Sequence, residues 1–223
     1  MVSVIIPFIN ENNCLPLLIK QLTPVVQCGH EIILVDGGSS EAFKLNHDVE
    51  GIALCSSSKG RAKQMNYGVS IARGDVFWFL HADTKLLGKV QEYVALIENM
   101  NSCWGRFNVK LSGNNITFNL IALLINIRSS LSNIATGDQG IFISRKLFDA
   151  VNGYDDIQIM EDISICKKLK KLSSPMNFKL ELMTSSRRWQ EKGILKTILT
   201  MWLMRFLFFI GVKPSTLIKI YER

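Results

Sequence analysis

Short apolar runs alternate with amphipathic stretches through the first third of the chain. Val2–Ile6 and Glu31–Val35 are nearly uninterrupted apolar runs bounded by turn residues, the pattern of strands covered on both faces. Gly51–Cys55 is a third, shorter run, and Asp75–Leu80 (Asp-Val-Phe-Trp-Phe-Leu) a fourth. The stretch Leu15–Val26 reads as a helix, with Pro16 tolerated in its first turn. A short helix is expected between the second and third strands. Arg61–Arg73 places Ala62, Met65, Val69 and Ala72 on one helical face. This order of elements predicts an α/β fold, a Rossmann-like wound and mostly parallel sheet flanked by helices.

The rest of the chain is less regular. Helices are predicted at Lys89–Asn99, Ile116–Ile127, Lys146–Val151 and from Met160-Glu161-Asp162 through Leu172, where Ile163, Cys166 and Leu169 share a face. Strands are predicted at Cys103–Leu111, Ile141–Ser144 and Met176–Leu182. Ile194–Val212 is a very apolar helix, and Pro214 starts a last short one. A spanning helix needs about 20 largely uncharged residues. Arg205 splits this run, and Lys196 falls on the opposite side, so an interfacial or a core-packed helix is expected instead. In the core-packed case Trp202, Phe206 and Phe209 would pack on the body, with Ile116–Ile127 as partner. The expected organisation is one body over 1–192. A basic, apolar helical segment follows over 193–223.

Composition narrows the class. Of 223 residues 48% are hydrophobic and 20% charged, which describes an ordered chain able to bury a full core. Five scattered cysteines with no CxxC spacing are expected to be reduced, mostly buried thiols of a cytosolic protein. The opening Met1–Pro7 has neither a basic n-region nor a long apolar h-region, so residue 2 onward reads as the first strand rather than a leader. Residues 1–160 hold 13 Lys and Arg against 14 Asp and Glu, whereas residues 161–223 hold 13 against 5. All the excess positive charge therefore lies in the last quarter. It points to an anionic partner, either lipid headgroups or a phosphorylated substrate, or else to a plain solvated face. No recognition motif accompanies it, so nucleic acid is not expected. The expected location is the cytoplasm or the cytoplasmic face of a membrane.

Candidate chemistry gathers at the strand tips. The second strand ends in Asp36-Gly37-Gly38-Ser39, and the fourth runs into His81-Ala82-Asp83-Thr84. In open α/β sheets ligands bind at that edge, and a carboxylate there can hold a divalent cation, which can hold a diphosphate. The competing reading makes Asp83 the cap of a helix after Lys85, and Glu161-Asp162 a favourable helix start. There is no GxGxxG and no GxxxxGK[ST], so neither a dinucleotide fingerprint nor a P-loop is present.

Taken in order, Ser3-Val4-Ile5-Ile6-Pro7 with Asn10-Glu11, Ile33-Leu34-Val35-Asp36-Gly37-Gly38-Ser39, Gly60-Arg61-Ala62-Lys63-Gln64-Met65-Asn66, His81-Ala82-Asp83-Thr84 and Glu161-Asp162 resemble glycosyltransferase family 2. Gly137-Asp138-Gln139-Gly140 and Ser186-Arg187-Arg188-Trp189 look like a small bacterial subgroup of it, whose acceptors are mostly unassigned. The resemblance implies a GT-A fold, with a nucleotide-binding half over 1–84 and an acceptor half over 85–192, to which the apolar C-terminal helices read from the sequence are appended. It also implies a nucleotide-sugar donor, UDP- or GDP-linked, and inversion at the anomeric carbon. Carried over by position, Asp36 contacts the base or ribose, and Pro7 and Glu11 lie along the nucleoside. Arg61 sits near base and diphosphate, Arg187 is a further donor-binding candidate, and Arg188 and Trp189 resemble the Arg-Trp that closes over the diphosphate in processive members. Asp83 matches the last acid of the family's Asp-x-Asp and implies Mn²⁺ or Mg²⁺. His81 stands where the first acid would be, a departure that suits Mn²⁺ better than Mg²⁺. Asp162, beside Glu161, matches the general base, and Asp138 and Gln139 fall on the acceptor and donor-sugar side. The implied acceptor is a hydroxyl, compatible with a lipid-linked molecule and with peripheral contact to an anionic membrane. The alternatives are a catalytically impaired nucleotide-sugar-binding protein, a nucleotidyltransferase and a membrane-associated scaffold.

Overall fold

The computed structural model describes residues 1–45, 50–113 and 115–221, and the backbone but not the side chain of Arg188. Strands β1 (Val2–Phe8), β2 (Glu31–Asp36), β3 (Ile52–Ser56) and β4 (Val76–Phe79) alternate with helices α1 (Leu15–Gln27) and α2 (Arg61–Ile71). They pair in parallel in the order β3-β2-β1-β4. The short helix expected between β2 and β3 does not form over residues 37–45, and residues 46–49 lie outside the described residues. Next come β5 (Lys85–Leu86), α3 (Val90–Ile97), β6 (Trp104–Leu111), α4 (Ile116–Ser132), β7 (Phe142–Ser144) and α5 (Arg145–Ala150). The chain closes with α6 (Glu161–Leu169), β8 (Met176–Thr184), α7 (Arg187–Lys192), α8 (Ile194–Phe209) and α9 (Pro214–Tyr221). The sheet continues past β4 as β7-β6-β8-β5, with β7 antiparallel to both its neighbours and β6 parallel to β8.

The continuous apolar runs are explained by two cores. Successive side chains of a strand point to opposite faces. Thus Val2, Val4 and Ile6 join Leu15, Leu18 and Leu22 of α1 and Tyr93 and Ile97 of α3 on one side. Ile5, Ile33 and Val35 meet Ala62, Met65 and Val69 of α2 and Cys166 and Leu169 of α6 on the other. The strand β4 feeds both, with Trp78 inward on the first face and Phe77 and Phe79 on the second. Cys166 is the buried cysteine; the other four are partly or fully exposed, and all five are free thiols.

A third, smaller core joins α4, α7 and α8 through Phe118, Ile121, Ala122, Trp189, Ile194, Ile198 and Met201. Both apolar helices reach this core, α4 through Phe118, Ile121 and Ala122 and α8 through Ile194, Ile198 and Met201. Trp202, Phe206 and Phe209 point outward, 71%, 60% and 76% exposed, because they lie off the stripe that Ile194, Ile198 and Met201 form. Among the described residues no helix is long and apolar enough to cross a membrane.

Candidate active site

The site forms where the parallel strands stop at different heights. The strand β4 ends at Phe79, opposite Ile5, while β1 runs on to Phe8 beside β2. Pro7 shares the side of β1 on which the Ile5 carbonyl accepts from Leu80 N–H, so its missing N–H faces a position where β4 has already turned away. That turn is His81–Thr84, closed by the Thr84 N–H donating to the His81 carbonyl at 3.1 Å. It leads into β5, which pairs with β8, and α3 does not begin until Val90. Asp83 is therefore not a helix cap. A strand follows it, and its carboxylate faces the cleft.

The cleft has a volume of about 450 Å³. Pro7, Glu11, Arg61, His81, Asp83, Asp138, Glu161, Asp162, Arg187 and Trp189 all line it. Gly137 and Asp138 of a short 3-10 turn, Gly137–Gln139, also line it, and the turn is clamped from both sides. His81 Nδ1 lies 3.1 Å from Asp138 Oδ1, and Gly137 N–H donates to Asp162 Oδ2 at 3.1 Å. A Cβ on Gly137 would collide with His81 Nε2, so only glycine lets the imidazole lie against this turn. With Nδ1 beside Asp138 and Nε2 against Gly137, the ring is fixed from both sides.

Glu161 and Asp162 open α6 directly after Met160, whose φ of 69° is left-handed backbone that a methionine rarely adopts. The two carboxylates occupy the first turn, where the helix dipole favours them, and also face the cleft. Glu161 is buried, and burial together with the adjacent Asp162 charge pushes its carboxyl above the ordinary range. Arg61 opposes that shift, with Nη1 3.5 Å from Glu161 Oε1.

Some expected site residues are placed elsewhere. Gln139 is fully buried and does not face the cleft. Its Oε1 accepts from Thr136 N–H at 3.2 Å, and its Nε2 donates to Ser129 Oγ at 2.9 Å and Asn126 Oδ1 at 3.2 Å. Its amide is thus spent on closing the turn through Oε1 and tying it to α4 through Nε2, a positioning role rather than a ligand contact. Asp36 sits on the tip of β2 outside the cleft lining, with Oδ1 accepting from Gly38 N–H, Ser39 N–H and Ser39 Oγ. Trp189 is buried in the third core and anchors α7 as well as lining the cleft. The side chain of Arg188 lies outside the described residues.

Motif reasoning missed the wall supplied by α8. Thr197, Met201, Met204 and Arg205 line the cleft, as does Tyr221 of α9. Burial pulls the Arg205 guanidinium down from its usual value, and Asp162 and Asp138 pull it back up. The signal was present in the sequence as the cation near the middle of an apolar run.

Among the described residues no group of three or more His, Cys, Asp or Glu could hold a metal ion. Asp83 and His81 offer one carboxylate and one imidazole nitrogen at the cleft. Such a donor set fits a cation completed by phosphate oxygens and water, the way Mg²⁺ and Mn²⁺ bind nucleotides, and not an all-protein cage.

The fold is shared with solved glycosyltransferase structures at low sequence identity. The S. aureus TarS 1–349 structure in complex with UDP superposes with a TM-score of 0.62 at 17% identity, over 82% of this chain and 60% of that one. The chain thus spans three-fifths of the TarS fragment. Glucosyl-3-phosphoglycerate synthase from Mycobacterium tuberculosis, in complex with Mn²⁺, UDP-glucose and phosphoglyceric acid, gives a TM-score of 0.62 at 18% identity, over 92% and 79% of the two chains. No curated protein sequence matches the chain significantly. The family model described as "Glycosyl transferase family 2" matches residues 3–148, from the first strand through the clamped turn and into α5. A match over that much of the chain, on the fold just described, makes this protein a member of glycosyl transferase family 2.

Proposed function

We propose that the protein is an inverting glycosyltransferase. It moves a sugar from a nucleotide-diphosphate sugar, UDP- or GDP-linked, to an acceptor hydroxyl. The observation that carries this reading is the convergence of Asp83, His81, Arg61, Arg187 and Asp162 from separate elements on one 450 Å³ cleft at the strand ends. The UDP and UDP-glucose held by the TarS and mycobacterial structures support the UDP arm.

In this mechanism Pro7 and Glu11 lie along the nucleoside, and Asp36, with Oδ1 taken by its own turn, presents Oδ2 to the base or ribose. Arg61, Arg187 and Arg188 with Trp189 attend the diphosphate. Asp83, seconded by His81, would hold Mn²⁺ or Mg²⁺, which when bound neutralises charge on the leaving diphosphate. The acceptor oxygen bonds to the anomeric carbon as the bond to the diphosphate oxygen breaks, and Asp162 takes the hydroxyl proton. A single in-line displacement inverts the centre. Asp162 is oriented for this by the Gly137 N–H on Oδ2. A positioned base of this kind is worth about 10²–10⁴-fold. Glu161 stays paired with Arg61, and Asp138 holds His81 in orientation. The acceptor hydroxyl belongs to a lipid-linked molecule, a reading supported by the basic, apolar C-terminal quarter.

The test is release of nucleoside diphosphate from a panel of UDP- and GDP-sugars, after EDTA treatment and with Mn²⁺ or Mg²⁺ restored. One nucleotide class should be turned over in a cation-dependent way. Asp162→Asn should lower that turnover about 10²–10⁴-fold while calorimetric affinity for the nucleotide stays within about threefold. Donor binding without turnover under any condition would replace catalysis by a nucleotide-sugar-binding role. Turnover indifferent to EDTA would remove the cation.

A further inference from the structure

The helices α4 and α8 are apolar on both faces, and only one face of each is buried. Phe118, Ile121 and Ala122 of α4 and Ile194, Ile198 and Met201 of α8 form the third core. The outward residues repeat at 3/4 spacing on both helices: Leu120, Leu124, Ile127 and Leu131 on α4, and Leu195, Leu199, Trp202 and Phe206 on α8. All of them are exposed, an apolar stripe several turns long on each helix. Monomeric soluble proteins rarely expose an apolar patch of that extent without a partner.

Charge identifies the partner. None of α4, α8 and α9 contains an Asp or Glu. Exposed lysines bracket α8, Lys192 and Lys196 at its start and Lys213 past its end. Lys167 sits at the C-terminal end, its Nζ 4.7 Å from the Phe208 ring centre. Residues 161–223 carry 13 basic against 5 acidic residues. Pairing this face with a second copy would bring two such segments together and repel. An anionic bilayer interface instead accepts both the apolar stripe and the lysines around it. The helix α8 has 16 residues, about 24 Å, too short to cross the roughly 30 Å hydrocarbon layer but able to lie along its surface.

We infer that the outward face of α4 and α8 is a docking surface for an anionic membrane, with α8 lying in the interface plane. Its other side, through Thr197, Met201, Met204 and Arg205, is a wall of the catalytic cleft, so docking sets the cleft one helix diameter from the lipid. This surface stands independently of the proposed reaction.

Trp202 gives the experiment a built-in reporter, because Trp78, Trp104 and Trp189 are buried. The full chain is mixed with vesicles of phosphatidylcholine alone or with 30% phosphatidylglycerol (roughly one anionic lipid in three), at low and high salt. Co-sedimentation with the anionic vesicles and a blue shift of tryptophan emission are expected, with binding weakened by salt. Removing Lys192 and Lys196 should cost about fivefold each. The triple variant Trp202→Ser, Phe206→Ser, Phe209→Ser should lose at least tenfold in binding while its unfolding temperature and donor turnover in vesicle-free buffer are unchanged. Absence of vesicle binding at low salt would overturn the inference, as would binding that the triple variant retains. A vesicle-indifferent dimer that the triple variant disperses would assign the face to a second copy instead.

Discussion

The residue that most distinguishes this site is Gly137, because three separate elements meet on it. It donates its N–H to Asp162, passes under the His81 ring and carries Asp138 to the His81 Nδ1. Its partners at the start of α6 show how a charge can be retained at a cost. Glu161 is buried beside Asp162, and its carboxyl is held above the ordinary range. A raised carboxyl means that the unfolded chain ionises more readily than the folded one, so stability falls as pH rises from the ordinary carboxylate range through the raised value. Glu161→Gln removes that loss. Its unfolding temperature should exceed that of the wild type at pH 7 and match it near pH 4; an equal difference at both would remove the electrostatic cause. Asp83, Asp162 and Arg61 were legible at this scale as residue types in an ordered set of motifs. Gln139 was misread because adjacency to Asp138 carries no information on direction: in a 3-10 turn successive side chains diverge, and Gln139 points into α4.

Among the elements, the junction of β1, β2 and the loop after α2 is held by one buried carboxylate. Glu31 Oε1 accepts from Ser3 Oγ and from Arg73 N–H, both at 2.6 Å, and Ser3 Oγ in turn accepts from Gly74 N–H at 2.9 Å. Burial by itself would raise the Glu31 carboxyl, but these donors and the Arg73 guanidinium outweigh it and hold it below its ordinary value. The stabilisation is complete above the unfolded carboxyl's range and is lost as pH falls through the depressed folded value. Glu31→Gln should therefore cost about 2 kcal/mol at pH 7, read from the urea midpoint, with the gap to wild type closing toward pH 3. A pH-independent gap would point to packing rather than charge. The two-sided strands and α1 and α2 were readable because their apolar spacing defines one inward face. The spacing on α4 and α8 could not do so. A helix apolar all round has no preferred inside, and only its neighbours decide which stripe is covered.

At the scale of the whole molecule the cleft is a seam. Pro7, Glu11, Arg61 and Asp83 come from the parallel part of the fold, and Asp138, Glu161, Asp162 and Arg205 from the part beyond β4. A donor that contacts both sides binds the folded state alone. With nucleoside diphosphate and Mn²⁺ at about 100 times Kd, stability should rise by about 2.7 kcal/mol. That corresponds to an unfolding temperature higher by roughly 5–10 °C for a chain of this size. No shift with any nucleoside diphosphate would remove the seam as a donor site. The sequence by itself determined most of the strands and helices, the parallel start of the sheet and the acids at its tips, because strand burial and strand ends are local patterns. Only the tertiary structure decided what those patterns leave open. A strand after Asp83 excludes the capping role, Gln139 turns inward, Arg205 arrives from 43 residues beyond Asp162 in sequence, and Trp202 faces outward. Each of these depends on which distant segment packs alongside, and periodicity within one element cannot encode that.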